Sequence, residues 1–190
     1  MRPRVWSVVR ALLVLAMVGA GLRAAAGPVG AVEVIEGSTI PAGMTIDDDA
    51  FIGGDNVLVE GTVNGDLFVV GGNIRVNGTV GGSLVVAGQT IAVNGQVQGS
   101  VYAAGTSVTL GGGSSVGRNA YYVGYGFEAQ PGSRVERDLV VAGYQALLSG
   151  DVGRDVLAGT SALVLSGSVG RDVRAEVGAP ADDRQAARRG

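Results

Sequence analysis

Residues 63–88 read VNGDLFVVGGNIRVNGTVGGSLVVAG. A short pattern, Val, any residue, Gly, a small polar residue and an apolar one, occurs in this stretch at Val63 (VNGDL) and again at Val80 (VGGSL), 17 residues later. With Arg allowed at the third place it returns at Val97 (VQGSV), Val116 (VGRNA), Val135 (VERDL), Val152 (VGRDV) and Val169 (VGRDV). One step upstream, Ile46 (IDDDA) continues the series. The spacing is 17 residues except for two steps of 19, from Val97 to Val116 and from Val116 to Val135. A fixed period of this length is the signature of a repeat architecture.

Counting each start as column zero, the remaining columns align. Column four is Ala50, Leu67, Leu84, Val101, Ala120, Leu139, Val156 and Val173; column six is Ile52, Val69, Val86, Ala103, Val141 and Ala158, with Tyr122 the exception; column eleven is Val57, Ile74, Ile91, Val108, Phe127, Ala146 and Leu163; and column thirteen is Val59, Val76, Val93, Leu110, Ala129, Leu148 and Leu165. Apolar pairs two residues apart share one face of a strand. Columns eight and fifteen are glycine in six of their coils each, and glycine between the pairs marks corners, where positive φ or a tight bend is expected. Asn64-Gly65, Asn77-Gly78 and Asn94-Gly95 are turn dipeptides. One unit cannot bury its apolar columns alone, whereas stacked units bury them against each other. The expected fold is therefore all-β: a single-stranded parallel β-helix of about 17-residue coils over 46–177. An irregular N-terminal cap is expected over 32–45 and a flexible polar tail over 178–190. The two longer units place insertions at Gly111–Ser115 and Tyr125–Pro131. The aromatic cluster Tyr121, Tyr122, Tyr125 and Phe127 reads as packing around the second of these, or as a recognition patch.

Composition narrows the chemistry. The chain has 190 residues, 34 of them glycine, and no histidine or cysteine; all 14 positive side chains are arginine. A Ser–His–Asp triad, a Schiff-base lysine, a phosphate-loop lysine, a zinc site of ordinary type and a disulfide are all excluded. Carboxylate chemistry, oxygen-held cations or no chemistry remain. Parallel β-helices also carry polysaccharide lyases and hydrolases, but a two-residue insertion builds no cleft. The cluster Asp47, Asp48, Asp49 lacks the ligand spacing of a calcium loop and reads as a solvated corner. Thr62 and Thr79 align as an ice-binding face would require, but Gln96 and Asp151 interrupt them. No enzyme activity, cofactor, metal ligand or small-molecule substrate is expected.

Residues 1–31 have the layout of a secretory signal: Arg2, Arg4 and Arg10, an apolar run from Ala11 to Leu22, then Arg23 and small residues. Cleavage is expected before Gly27 or Val32, an uncleaved membrane anchor being the alternative; either way the domain is expected in the cell envelope or outside the cell. Without this segment 10 Arg face 17 acids, a net charge of −7, which disfavours nucleic acid as a partner.

The 17-residue V-x-G-[DS]-[LV] unit with its second glycine, repeated without a break over Ile46 to Val177, resembles that of the bactofilins, polymer-forming cytoskeletal proteins of bacteria. The resemblance implies a right-handed β-helix, nucleotide-free polymerisation through the helix ends and a scaffolding role at the membrane. Bactofilins are typically cytoplasmic, whereas this chain opens with an export-like segment.

Each end of a β-helix leaves an unpaired strand edge and an open apolar cross-section. Val34, Ile35 and Ile40 at one end, and Val169, Val173 and Val177 at the other, are the residues expected to mediate end-to-end self-association. Column two becomes Arg118, Arg137, Arg154 and Arg171, beside Asp138, Asp155 and Asp172 in column three. The neighbouring columns read as a mutually compensated surface ladder, or as a site for an anionic envelope polymer. The expected function is a self-assembling, bactofilin-like scaffold of the envelope whose partner is itself, with the membrane surface or a cell-wall polymer as a further one. The alternative is a non-polymerising exported binding module.

Overall fold

The computed structural model describes residues 33–178, and the expectations for 1–31 and for the tail beyond Gly178 lie outside them. Every element described is a β-strand, and every pairing is parallel. Seven strands of ten residues recur once per coil: β4 (Ala50–Val59), β6 (Leu67–Val76), β8 (Leu84–Val93), β10 (Val101–Leu110), β12 (Ala120–Ala129), β14 (Leu139–Leu148) and β16 (Val156–Leu165). They stack in chain order between β1 (Glu33–Val34) and β17 (Val173–Val177), with β2 (Thr39–Ile40) also on β4. A second sheet stacks two-residue strands: β3 (Thr45–Ile46), β5 (Thr62–Val63), β7 (Thr79–Val80), β9 (Gln96–Val97), β11 (Ser115–Val116), β13 (Arg134–Val135) and β15 (Asp151–Val152). The result is a parallel β-solenoid of about nine turns, as the period predicts.

The register is the repeat itself. Leu67 pairs Leu84, Leu84 pairs Val101 and Ile74 pairs Ile91, so each column stacks on its own kind. Columns zero, four, six, eleven and thirteen are buried from coil to coil. In β6 the buried residues are Leu67, Val69, Ile74 and Val76. The odd interval between Val69 and Ile74 means the inward side switches partway along the strand, since alternate residues share a face. Each long strand therefore bends at its central glycine and supplies two faces of the coil, while the short strand supplies the third.

Of the two reasons expected for the corner glycines, the bend holds and positive φ does not. Positive φ occurs at Gly37, Gly43, Gly113, Gly132 and Gly178, none of which lies in column eight or fifteen. What their glycines require is the absence of a side chain, although Thr160 in column eight and Pro131 in column fifteen are accommodated. A Cβ on Gly88 would lie 2.6 Å from the carbonyl oxygen of Gly71 and 2.9 Å from Cδ1 of Ile74. On Gly105 it would lie 2.7 Å from the carbonyl oxygen of Gly88. The bent strands approach too closely at these corners for any Cβ.

Between the first coil and the last strand, positive φ occurs only in the insertions. Between Leu110 and Ser115 the chain takes two residues more than between Val93 and Gln96, and Gly113 has φ +90. The second insertion lies between Ala129 and Arg134, around Gly132, and not at Tyr125. β12 is a regular ten-residue strand in register with β14, so the aromatic cluster does not surround a distorted corner. It divides between the two sides of a strand whose inward side switches at the bend: Tyr122 and Phe127 turn into the core, ring centroids 5.1 Å apart, and Tyr121 and Tyr125 turn outward.

Candidate functional site

Column three is a hydrogen-bond ladder. The backbone N–H of Asp66 donates to Oδ1 of Asp49 at 2.7 Å, and that of Ser83 to Oδ1 of Asp66 at 2.7 Å. Further on, the N–H of Asp138 donates to Oδ1 of Asn119, that of Asp155 to Oδ1 of Asp138 and that of Asp172 to Oδ1 of Asp155. An acceptor side chain of one coil thus satisfies a corner N–H of the next, which no strand ladder reaches. This explains why the column keeps to Asp, Asn and Ser, a role that charge counting missed.

Column two is only partly compensated. Arg154 lies 3.7 Å from Asp138, and Arg171 is paired with Asp155, each across one coil. The Arg171 guanidinium and the Asp172 N–H hold the Asp155 carboxyl at about 2, below its ordinary value. Among the described residues, Arg118 and Arg137 have no carboxylate within 4.0 Å. The first acidic corner is occupied by its own contacts: Asp47 accepts from the Asn64 side chain at 2.9 Å and Asp48 from the N–H of Asp49. Among the described residues no cluster of three or more acids is placed to hold a metal ion. A depression of about 200 Å³ on the outer surface, lined by Ser107, Gly126, Glu128, Gln145 and Leu147 among others, holds one carboxylate, that of Glu128.

The two ends differ. At the N-terminal end the first coil closes over itself. Ile40 is fully buried and presents nothing to a neighbour, Ile35 is half-buried, and Val34 pairs Phe51 and faces sideways. At the C-terminal end β17 covers only Val156–Thr160 of β16. Val169 makes a single bridge to Val152, while Val173 and Val177 are exposed. No described strand covers the second half of β16, so Leu165, in a core column elsewhere almost fully enclosed, is 41% exposed, and Leu163 is half-buried. Leu163 and Leu165 were not among the end residues expected from sequence. Their signal was available: at the next coil, columns eleven and thirteen would be Pro180 and Asp182, which cannot extend an apolar ladder.

Exposed large apolar side chains fall in two places. One is this C-terminal end, with Val164, Leu165, Val173 and Val177. The other is the outer face of the first half of each long strand and its corner, with Val34, Phe51, Val70, Tyr102, Val123, Tyr125, Tyr144 and Leu157; Met44 alone lies in neither. On that face Tyr102 stacks on Tyr121 and Tyr125 on Tyr144, each pair with centroids 5.0 Å apart. Stacked this way, the rings turn their faces to each other and their edges outward, which removes the ring faces a sugar would stack on.

No protein-family model, curated protein or solved structure matches this chain.

Proposed function

We propose that this protein is a structural, self-assembling solenoid of the cell envelope, in which the C-terminal coil of one copy is continued by another. The observation that carries the reading is the half of β16 that no described strand covers, where Leu163 and Leu165 expose core columns beside a strand edge without a partner among the described residues. A strand edge offers a row of free N–H and C=O groups, and proteins that remain monomeric usually block it with charge, proline or a cap. The side chains on this edge, Ala162, Leu163, Val164 and Leu165, are uncharged. The resemblance of the repeat to that of the bactofilins and the export-like segment at 1–31 support the polymer and its place.

Sedimentation velocity over a range of concentrations tests this. The wild-type protein is expected to form species that grow with concentration, and Leu165→Asp is expected to reduce that growth without lowering the melting temperature, since the site is exposed. Growth unchanged by Leu165→Asp would refute the end contact. A second reading rests on Arg118 and Arg137, which have no acidic partner among the described residues: an exported module that binds an anionic polymer through their guanidinium forks. Poly-glutamate binding that is lost in Arg118→Gln/Arg137→Gln would support it.

A further inference from the structure

We infer that the apolar outer face is a contact between two copies of this chain, laid side by side in antiparallel orientation. The face is formed by columns five and seven. From Val34 to Leu157 column five reads Val, Phe, Phe, Val, Tyr, Tyr, Val, Leu, and its members are direct cross-strand partners. From Gly53 to Gly159 column seven reads Gly, Val, Ala, Ala, Val, Ala, Gly. Neither column carries a charged residue between Phe51 and Gly159, although the chain is net negative. A second copy therefore meets no like charge across it.

The order of residues selects the orientation. A two-fold axis running between the coils of Val85 and Tyr102, along the strand direction, places coil on coil in reverse order. Column seven is a palindrome about that axis over its central four members. Val70 then meets Val123 of the second copy, and Ala87 meets its Ala104. Val70 and Val123 are the two bulky residues of the column, 51% and 57% exposed, and each has a small residue above and below it. In column five Phe68 meets Tyr121 and Val85 meets Tyr102. The same operation brings the corner that flanks the face onto its reversed counterpart. In column two Asp48 then meets Arg137 and Gly65 meets Arg118, which places Asp66 diagonally beside Arg118, while in column three Asp66 meets Asn119 and Asp49 meets Asp138; Arg118 and Arg137 have no acidic partner in their own chain among the described residues. A parallel pair would instead set Asp48 and Asp49 beside Asp55 of the second copy.

Eight coils at ~4.8 Å and a face ~13 Å wide give about 500 Å² per copy, or about 1,000 Å² in total. That lies at the low end of specific interfaces, so a micromolar, reversible pair is expected. The contact uses a side of the solenoid and not its ends. It stands whether or not the ends assemble.

The experiment uses protein carrying Leu165→Asp, so that end contacts do not intrude. The chain has no cysteine of its own, so single spin labels can be placed at Ala104→Cys or at Leu157→Cys. In the antiparallel pair the two Ala104 labels lie within about 20 Å, and the two Leu157 labels are separated by about seven coils, ~34 Å along the axis. Short distances at both sites would mean a parallel pair and overturn the proposal, as would the absence of dipolar coupling at both sites at 100 µM protein. Val123→Arg is expected to raise the dissociation constant at least tenfold with an unchanged melting temperature, because the side chain is exposed. Asp48→Arg is expected to weaken the pair, and Asp48→Arg/Arg137→Asp to restore it. An unchanged constant in Val123→Arg, or a double variant no tighter than the single one, would overturn it too.

Discussion

A methyl group is expected to change stability differently at three glycines of the stacked coils. Gly88→Ala places a Cβ 2.6 Å from the Gly71 carbonyl oxygen, where ordinary contact needs roughly 3.4 Å, so the coils must part by several tenths of an ångström. Ile74 Cδ1 at 2.9 Å closes the other route of escape. The carbonyl is backbone and takes part in the ladder that fixes the coil spacing, so it cannot rotate away as a side chain would. Overpacking of this kind costs about 1–3 kcal/mol, and one weakened ladder bond about 1 kcal/mol more. Gly113→Ala has open space but φ +90, a backbone cost of about 1–2 kcal/mol. Gly159→Ala has open space and an ordinary φ, so the lower entropy of its unfolded chain makes it neutral or stabilising by up to about 1 kcal/mol.

Thermal unfolding followed by far-ultraviolet circular dichroism separates the three. At about 2–4 °C per kcal/mol for a domain of this size, Gly88→Ala is expected to melt roughly 5–15 °C lower, Gly113→Ala a few degrees lower, and Gly159→Ala at or above the wild type. If Gly88→Ala melts with Gly159→Ala, the steric account of the corner glycines is wrong. If Gly113→Ala proves the most damaging, positive φ is the stronger constraint after all.

Three further outcomes are expected. Asp66→Ala removes the acceptor for the Ser83 N–H and should cost about 1–2 kcal/mol by urea unfolding, while Asp66→Asn keeps an acceptor and should cost less than half of that; equal losses would deny the ladder its role. Burial raises the Tyr122 pKa above its ordinary 10, so the folded state holds that proton more tightly than the unfolded one. Its stabilising contribution is complete below pH 10 and is lost as pH rises beyond it, so Tyr122 should be the last tyrosine to ionise in an absorbance titration. The Asp155 carboxyl, held at about 2 by Arg171 and the Asp172 N–H, contributes stability above the ordinary carboxylate range and loses it as pH falls toward 2. Carboxyl NMR titration should find it there, and Arg171→Gln should raise it; an unmoved value would discount the pair.

Sequence periodicity determines most of this fold because a solenoid is nearly one-dimensional: each coil contacts only its neighbours, so a column in the sequence is a column in space. Leu84 stacks on Leu67 for the same reason that it lies 17 residues after it. Three things escaped that logic. The purpose of the corner glycines depends on how closely two backbones approach, which a sequence does not record. Asp66 and Asp138 read as charges, but their acceptor role emerges only when the corner N–H of the next coil is seen to lack a strand partner. The edge at Leu165, uncovered among the described residues, follows from where β17 ends, at Val177. The outer face is legible in the sequence as well, since columns five and seven stay free of charge from Phe51 to Gly159.

The central claim is assembly through the C-terminal coil. Negative-stain electron microscopy of the purified protein, across salt and protein concentration, tests it most directly. Filaments whose subunits follow one another along the solenoid axis are expected, and Leu165→Asp is expected to shorten them to single rods or side-by-side pairs. Discrete rods for the wild-type protein at every concentration, or filaments indifferent to Leu165→Asp, would contradict it.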